Sequence, residues 1–154
     1  MDVYERMNEL GIVLPEAPGR GGVYAPVKEF AGNLAYISGC GPQNGSKNTY
    51  IGKLGQELTL EQGQAAARNA ILNVLAVLDR DLGDLNRVKK FVKLLAFVSS
   101  ASDFYQQPQV VNPASELLAS IWGEEGGCAA RSAIAVNALP GNIAIEIEAL
   151  IELT

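Results

Sequence analysis

The chain has 154 residues, a length typical of one domain, and its 48% hydrophobic and 19% charged residues exclude a disordered chain. Twelve Lys and Arg residues against 17 Asp and Glu residues give a net charge of −5, so general nucleic-acid binding would need a local basic patch. The chain contains no histidine, which excludes Ser–His–Asp and Cys–His nucleophile systems and histidine-based zinc sites.

The N-terminal segment predicts one short helix and then irregular chain. Apolar residues recur at helical spacing over residues 2–10, and Gly11 would end that helix. Prolines and glycines make residues 15–22 irregular or extended. We therefore treat residues 1–20 as an N-terminal extension within a single domain, residues 1–154.

Two strands and a long loop follow. Residues 24–30 and 33–38 have strand patterns, and residues 31–33 predict the turn between them. Residues 39–58 are rich in glycine and predict a long loop, a kind of segment that often carries function.

The clearest element is a helix over residues 60–82. Thr59 and Gln62 have the spacing of a capping box, and Gly83 suits the left-handed position that ends a helix. Residues 88–99 then alternate as a strand in which only one face carries a charge, which predicts a central strand covered on one side.

The last third of the chain predicts a second helix and two strands. The helix covers residues 110–122, and the strands cover residues 131–137 and 143–153 with a turn at 139–142 between them. The order β-β-α-β-α-β-β, with hairpins at both ends, favours an α+β sandwich in which two helices cover a mixed sheet.

Cysteine usage and the first residues indicate the compartment. Cys40 and Cys128 are too few for a metal cage, and we expect free, buried thiols in a reducing environment, although one disulfide stays open. Residues 1–6 lack the basic and apolar regions of a secretory signal, and no apolar run approaches the ~18 residues of a membrane span. We expect a cytoplasmic protein without membrane contact.

Arg131 and Glu146 are the charged residues that packing explains least. Arg131 opens an uncharged stretch, and small residues after it leave room beside the guanidinium. If the last two strands form a hairpin, Glu146 and Glu148 lie near Arg131, and their repulsion would raise the pKa of one of them if it is partly buried. One interpretation is an Arg–Glu salt bridge on a solvent face. The other is an anion pocket, in which Arg131 binds a carboxylate bidentately and a glutamate holds water and transfers protons.

Hydroxyl and backbone groups near the loop could add to such a pocket. Tyr24 and Ser38 lie at its predicted edge, where packing or a turn is the ordinary explanation. The backbone N–H groups of Ser38 and Gly39 follow a strand directly and could face an anion, although the chain lacks a P-loop and a G-x-G-x-x-G motif. These residues indicate only a small anionic ligand.

The C-terminal pattern resembles the signature of the RidA/YjgF family. Residues 130–140, ARSAIAVNALP, are followed by IEIEA at residues 145–149, which matches an Arg-led strand, a Leu-Pro turn and an Ile-Glu-Ile-Glu-Ala strand at this separation. Tyr24 after a glycine pair and Ser38-Gly39 at a strand end add weaker matches. The resemblance covers most of the chain from about residue 20.

The resemblance implies a chorismate-mutase-like fold and a homotrimer with ligand clefts between subunits. It also implies hydrolysis of reactive enamines and imines derived from amino acids, such as 2-aminoacrylate, to 2-keto acids and ammonia, with no cofactor or metal. By position, Arg131 would bind the substrate carboxylate and Glu146 would orient or activate water. The other residues that the resemblance places in the cleft are Tyr24, Ser38, Gly39, Asn112 and Ala133.

The chain departs from the well-studied deaminases in three places, so we interpret it as a divergent subgroup. The loop at 39–58 is longer, Ala133 stands where a cysteine is common, and residues 106–120 lack their aromatic-rich helix. Two alternatives therefore stay open. One is a non-catalytic trimer that binds small carboxylates or 2-keto acids and regulates a partner. The other is a ribonuclease, since the family was once labelled endoribonuclease and translation inhibitor, but this function would need a basic groove and the acidic balance argues against it.

Overall fold

A mixed five-stranded sheet with two long helices on one face forms the fold, which confirms the predicted α+β class. The computed structural model describes all 154 residues. In chain order the elements are α1 (Val3–Glu9), β1 (Val27–Phe30), β2 (Leu34–Cys40), β3 (Gln43–Asn44), β4 (Lys47–Asn48), α2 (Leu60–Leu82), β5 (Val88–Ser99), α3 (Gln107–Gly127), β6 (Ala130–Val136) and β7 (Ile145–Leu153). The sheet order is β1-β2-β7-β5-β6.

Local signals set the ends of α2 as predicted. The Thr59 hydroxyl accepts a hydrogen bond from the backbone N–H of Gln62, and the Gln62 side chain accepts one from the backbone N–H of Thr59. Gly83 ends the helix with φ 79°, a conformation that favours glycine. α3 is longer than predicted, because it continues to Gly127 past a non-helical Gly123 with φ 73°.

The core lies between the helices and one face of the sheet. Ile145, Ile147 and Ile151 of β7 are fully buried, and they alternate with glutamates on the other face. Leu75 of α2 and Leu118 of α3 are buried in the same cluster. Each such side chain stabilises the folded state by about 1.5–3 kcal/mol when it is fully buried, so burial favours this face of the sheet against the helices.

The predicted hairpin between the last two strands is wrong. β6 pairs in parallel with β5, and β7 lies between β2 and β5, antiparallel to both. The turn between β6 and β7 contacts residues 51 and 52 instead. The backbone carbonyl of Asn142 accepts a hydrogen bond from the backbone N–H of Gly52, and Ile143 forms a β-bridge with Ile51. β5, α3 and β6 form a β-α-β crossover, for which a parallel pair is the expected geometry.

The segment predicted as a long loop contains a short hairpin, β3 and β4. Gly45 in its turn has φ 63°, which favours glycine. Asn73 of α2 is 1% exposed, and its Nδ2 donates to the carbonyls of Gly41 and Gln43 at 2.9 and 3.0 Å. A buried side chain of α2 therefore fixes the start of this segment.

The second face of the sheet, here called the open face, is not covered by either long helix. Ile134 of β6 is 45% exposed there, and Phe30 of β1 is 43% exposed. Partly exposed apolar residues surround them on the same face: Leu34, Leu95, Phe97 and Leu150. An apolar sheet face is normally covered by another layer, so this one is suited to contact a second molecule.

Both cysteines are free, but they differ in exposure. Cys40 is buried at the end of β2, whereas Cys128 is exposed after α3, so the expectation of buried thiols is wrong for Cys128. Neither long helix has a stretch apolar enough to span a bilayer.

Candidate functional site

A cavity of about 230 Å³ lies where β2 ends and β7 begins, and it contains the predicted residue Glu146. We call it the Glu146 cavity. The N-terminal extension, the β3–β4 hairpin, the turn before β7 and α2 all contribute to its wall. The polar or predicted residues in that wall are Arg20, Tyr24, Ser38, Gly39, Gln43, Asn48 and Glu146.

A β-bulge shapes the wall at Ser38 and Gly39. Ile37 pairs with Ala149 and Cys40 pairs with Ile147, so β2 carries one more residue than β7 between these pairs. Bulges bend a strand and change the direction of its side chains, and they are common next to functional sites. This bulge places the Gly39 backbone directly against the Glu146 side chain.

Because Gly39 has no side chain, the Glu146 carboxylate can occupy the space beside its backbone. A Cβ added at Gly39 would overlap the Oε1, Cδ and Cγ atoms of Glu146. No other residue type fits without displacing the carboxylate. The sequence prediction that Gly39 borders the site therefore has a steric basis in the position of Glu146.

The Glu146 carboxylate is half-buried and has no hydrogen-bonding partner or ion pair within the chain. Burial, and then the charge of Glu148, raise the pKa of Glu146 above its ordinary value. Glu148 lies outside the cavity, where its Oε1 accepts a hydrogen bond of 2.8 Å from the Tyr36 hydroxyl. Of the two glutamates that the sequence leaves open, Glu146 is the one in the cavity.

Tyr24 and Ser38 line the cavity and also fix its wall. The Ser38 hydroxyl donates to the carbonyl of Ala25 at 2.9 Å. The Tyr24 hydroxyl accepts a hydrogen bond of 2.9 Å from the backbone N–H of Gly21. Together with Gly39 and Glu146, these residues form one set, the cavity group.

Arg131 lies on the other face of the sheet. It pairs with Leu94, whose side chain is buried against the helices, whereas Glu146 pairs with Phe97 and lies on the open face. The Arg131 guanidinium donates to the Ser115 hydroxyl at 3.1 Å and to the Pro108 carbonyl at 3.4 Å, and it has no carboxylate partner. The predicted proximity of Arg131 and Glu146 is therefore wrong within one chain, and so is the salt-bridge interpretation.

Ala133 and Asn112 lie with Arg131 rather than with Glu146. Ala133 is two residues further along β6 on the same face, and it adds no bulk beside the guanidinium. Asn112 is exposed on α3, where positions 108, 112 and 115 share one helix face. Arg131, Ala133 and Asn112 form a second set, the edge group, because β6 is an edge strand of the sheet.

Arg20 is a cavity residue that the sequence analysis missed. It is the one basic residue in the cavity wall, and its Nη1 donates to the carbonyl of Tyr24 at 3.1 Å. The sequence feature that could have indicated it is a single arginine among Gly19, Gly21 and Gly22. Because this segment was predicted to be irregular, nothing in the sequence placed Arg20 beside the cavity.

The family comparison agrees with the observed fold and with the predicted family resemblance. A family model described as "YjgF/chorismate mutase-like, putative endoribonuclease" matches residues 4–152. Protein TCP17 of Trypanosoma cruzi is 42% identical over 156 residues, which cover 98% of this chain and 94% of that protein. The predicted family resemblance is thereby confirmed.

Two solved structures are similar over nearly the whole chain. Atu1372 of Agrobacterium tumefaciens, a protein of unknown function, is 36% identical with a TM-score of 0.88, covering 99% of this chain and 92% of its own. A protein of Shewanella oneidensis MR-1 described as "a putative endoribonuclease" is 30% identical with a TM-score of 0.91, covering 99% and 100%. The fold is therefore shared along nearly the full length of these chains.

Proposed function

Because this chain belongs to the YjgF/chorismate mutase-like family, we propose that it hydrolyses reactive enamines and imines derived from amino acids to 2-keto acids and ammonia. The reaction needs a group that fixes a carboxylate and a group that moves protons near the reacting carbon. The edge group supplies an arginine for the first task, and the cavity group supplies a glutamate for the second.

The observation that carries this proposal is the environment of the Glu146 carboxylate. It is half-buried in a small cavity, forms no ion pair or hydrogen bond within the chain, and packs against the backbone of Gly39. Burial and the neighbouring Glu148 raise its pKa, which brings a carboxyl group closer to the range in which it both gives and takes protons. A carboxylate used only for stability is normally hydrogen-bonded or ion-paired.

The chemistry balances with Glu146 as the single proton-transfer group. Protonated Glu146 gives its proton to the terminal carbon of the enamine, which converts the C=C–N unit into an iminium ion. The resulting carboxylate takes a proton from water as the water oxygen attacks the iminium carbon. Protonated Glu146 then gives its proton to the nitrogen of this adduct, the C–N bond breaks and ammonia leaves. The hydroxyl returns a proton to Glu146 as it becomes the carbonyl of the 2-keto acid.

A second copy of the chain would bring Arg131 to the cavity. Arg131 and Glu146 lie on opposite faces of one sheet, so a single chain cannot place both on one small substrate. The edge strand β6 has unpaired backbone groups on its outer side, and the apolar residues of the open face are not covered by either long helix. We propose a homotrimer in which the edge group of one copy closes the Glu146 cavity of the next.

The direct test is hydrolysis of 2-imino acids generated in solution by an amino-acid oxidase, followed by the appearance of the 2-keto acid. We expect the protein to accelerate this step, and Glu146→Gln to reduce the acceleration by at least about 100-fold, the usual range for a lost acid–base group. Glu61→Gln, at an exposed glutamate in the first turn of α2, is the control and should remain active. Equal activity in Glu146→Gln and the wild type would contradict the proposal.

Two other functions stay in consideration. The separation of Arg131 from Glu146 favours a non-catalytic protein that binds 2-keto acids, which predicts saturable binding without turnover of any imine. The description of the family model favours ribonuclease activity, which predicts RNA cleavage that co-purifies with the protein through successive columns. With a net charge of −5, the chain lacks the overall positive charge that attracts RNA.

A further inference from the structure

Arg20 supplies an unused positive charge to the Glu146 cavity. Its guanidinium has no carboxylate partner within the chain, and the bond from Nη1 to the Tyr24 carbonyl uses one of its five N–H donors. No other Lys or Arg lines the cavity. The remaining donors are free to bind an anionic group of a ligand.

The segment that carries Arg20 is tied down on both sides. Pro18 is buried, and its carbonyl accepts a hydrogen bond of 2.9 Å from Arg80 of α2. On the other side, the backbone N–H of Gly21 donates to the Tyr24 hydroxyl at 2.9 Å. These contacts hold the backbone around Arg20 against the cavity, which lowers the entropy lost when the guanidinium binds a ligand.

Arg20 and Glu146 line the same cavity, yet they do not form an ion pair within 4.0 Å. A ligand lying between them would meet a cation at one end and a carboxyl group at the other. The cavity volume of about 230 Å³ suits a small acid rather than a nucleotide.

We propose that Arg20 binds a second acidic group of the substrate, so that the site prefers imines derived from dicarboxylic amino acids. This inference rests on the proposed function, in which Arg131 of a neighbouring copy takes the carboxylate next to the imine carbon. Arg20 then takes the carboxylate at the far end of the side chain. An arginine presents a planar fork that matches a carboxylate, which makes it a selective partner for this group.

The test compares two keto acids of equal length by calorimetry, 2-oxoglutarate with two carboxylates and 2-oxopentanoate with one. We expect the wild type to bind 2-oxoglutarate about tenfold more tightly, the range for a charge-assisted hydrogen bond. Arg20→Gln should abolish this preference and leave the affinity for 2-oxopentanoate unchanged. Arg68→Gln, at an exposed arginine of α2 without an ionic partner, is the matched control and should keep it.

Three results would overturn the inference. They are an unchanged preference in Arg20→Gln, an equal loss of affinity for both acids, and no binding of 2-oxoglutarate by the wild type. An equal loss of affinity for both acids would mean that Arg20 binds the carboxylate next to the carbonyl carbon, which the two acids share. The outcome is separate from that of the proposed function, because binding is measured without turnover. Imine hydrolysis that depends on Glu146, with no effect of Arg20 on the preference, would leave the function standing and remove only this inference.

Discussion

Arg131 and Glu146 lie on opposite faces of the same sheet, with β5 and its register partners Leu94 and Phe97 between them. From the spacing and rise of strands, their Cα atoms are roughly 14 Å apart. Neither side chain forms an ion pair within the chain. The two residues that the C-terminal pattern couples in sequence can therefore act on one small substrate only across two copies.

Gly39→Ala tests whether the backbone of β2 positions Glu146. The added Cβ would overlap the end of the Glu146 side chain, which is flexible and can move away, so we expect a folded protein with a displaced carboxylate. A displacement of about 1 Å in a catalytic group can lower activity about 100-fold. Steady-state kinetics on the imine, with thermal unfolding to confirm the fold, measure the effect.

Gly19→Ala is the control for this change, because a Cβ at Gly19 meets nothing within 4 Å. It should keep wild-type activity. If Gly39→Ala were as active as Gly19→Ala, the contact between Gly39 and Glu146 would have no functional role.

Glu146 makes the stability of the protein depend on pH in a specific direction. Its pKa is raised in the folded chain above the ordinary value of 4.5, so its contribution is complete below about pH 4.5 and is lost as the pH rises through the raised pKa. Glu146→Gln cannot ionise at this position. The variant should therefore gain stability relative to the wild type between pH 4 and pH 7, as measured by urea unfolding at both values.

Glu152 provides a comparison of opposite sign. Hydrogen bonds from Lys89 and Lys90 lower its pKa, so its contribution is present above pH 4.5 and lost as the pH falls through the lowered value. Glu152→Gln should lose stability relative to the wild type over the same rise in pH. The same direction of change in both variants would show that the burial of Glu146 does not govern its titration.

Asn73→Ala tests the support beneath the cavity. The change leaves the carbonyls of Gly41 and Gln43 without their donor, and both residues line the cavity. We expect a loss of about 2–4 kcal/mol in the free energy of unfolding, together with weaker binding of 2-keto acids. Arg68→Ala on the exposed side of α2 should stay within about 0.5 kcal/mol of the wild type, and a similar small effect at Asn73 would contradict this account.

The sequence was sufficient to predict the elements whose bounds depend on local chemistry. The bounds of α2 and β5 follow from the capping box at Thr59 and from regular apolar alternation, and the structure has both as predicted. The partner of β6 could not be found in this way. A short strand of small residues fits a hairpin or a parallel pair equally well, and long-range packing selects the position of β7 between β2 and β5.

The site was predictable in its residue types but not in its assembly. The C-terminal pattern pointed to Arg131 and Glu146 as candidates, and the match of the family model to residues 4–152 supports the family from which that pattern comes. That they occupy different faces depends on the strand order, which no local signal contains. Arg20 was missed for a related reason, since only the folded chain brings the N-terminal extension to the end of β2.

The most direct test of the account is complementation between two inactive variants, Arg131→Gln and Glu146→Gln. The first chain keeps an intact cavity group and the second keeps an intact edge group. Co-expression with different tags and purification on both would isolate mixed oligomers, in which about a third of the clefts of a cyclic trimer are complete. We expect each variant alone to be inactive and the mixed oligomer to recover about that share of wild-type imine hydrolysis. Mixed oligomers as inactive as their parents would contradict a site shared between copies.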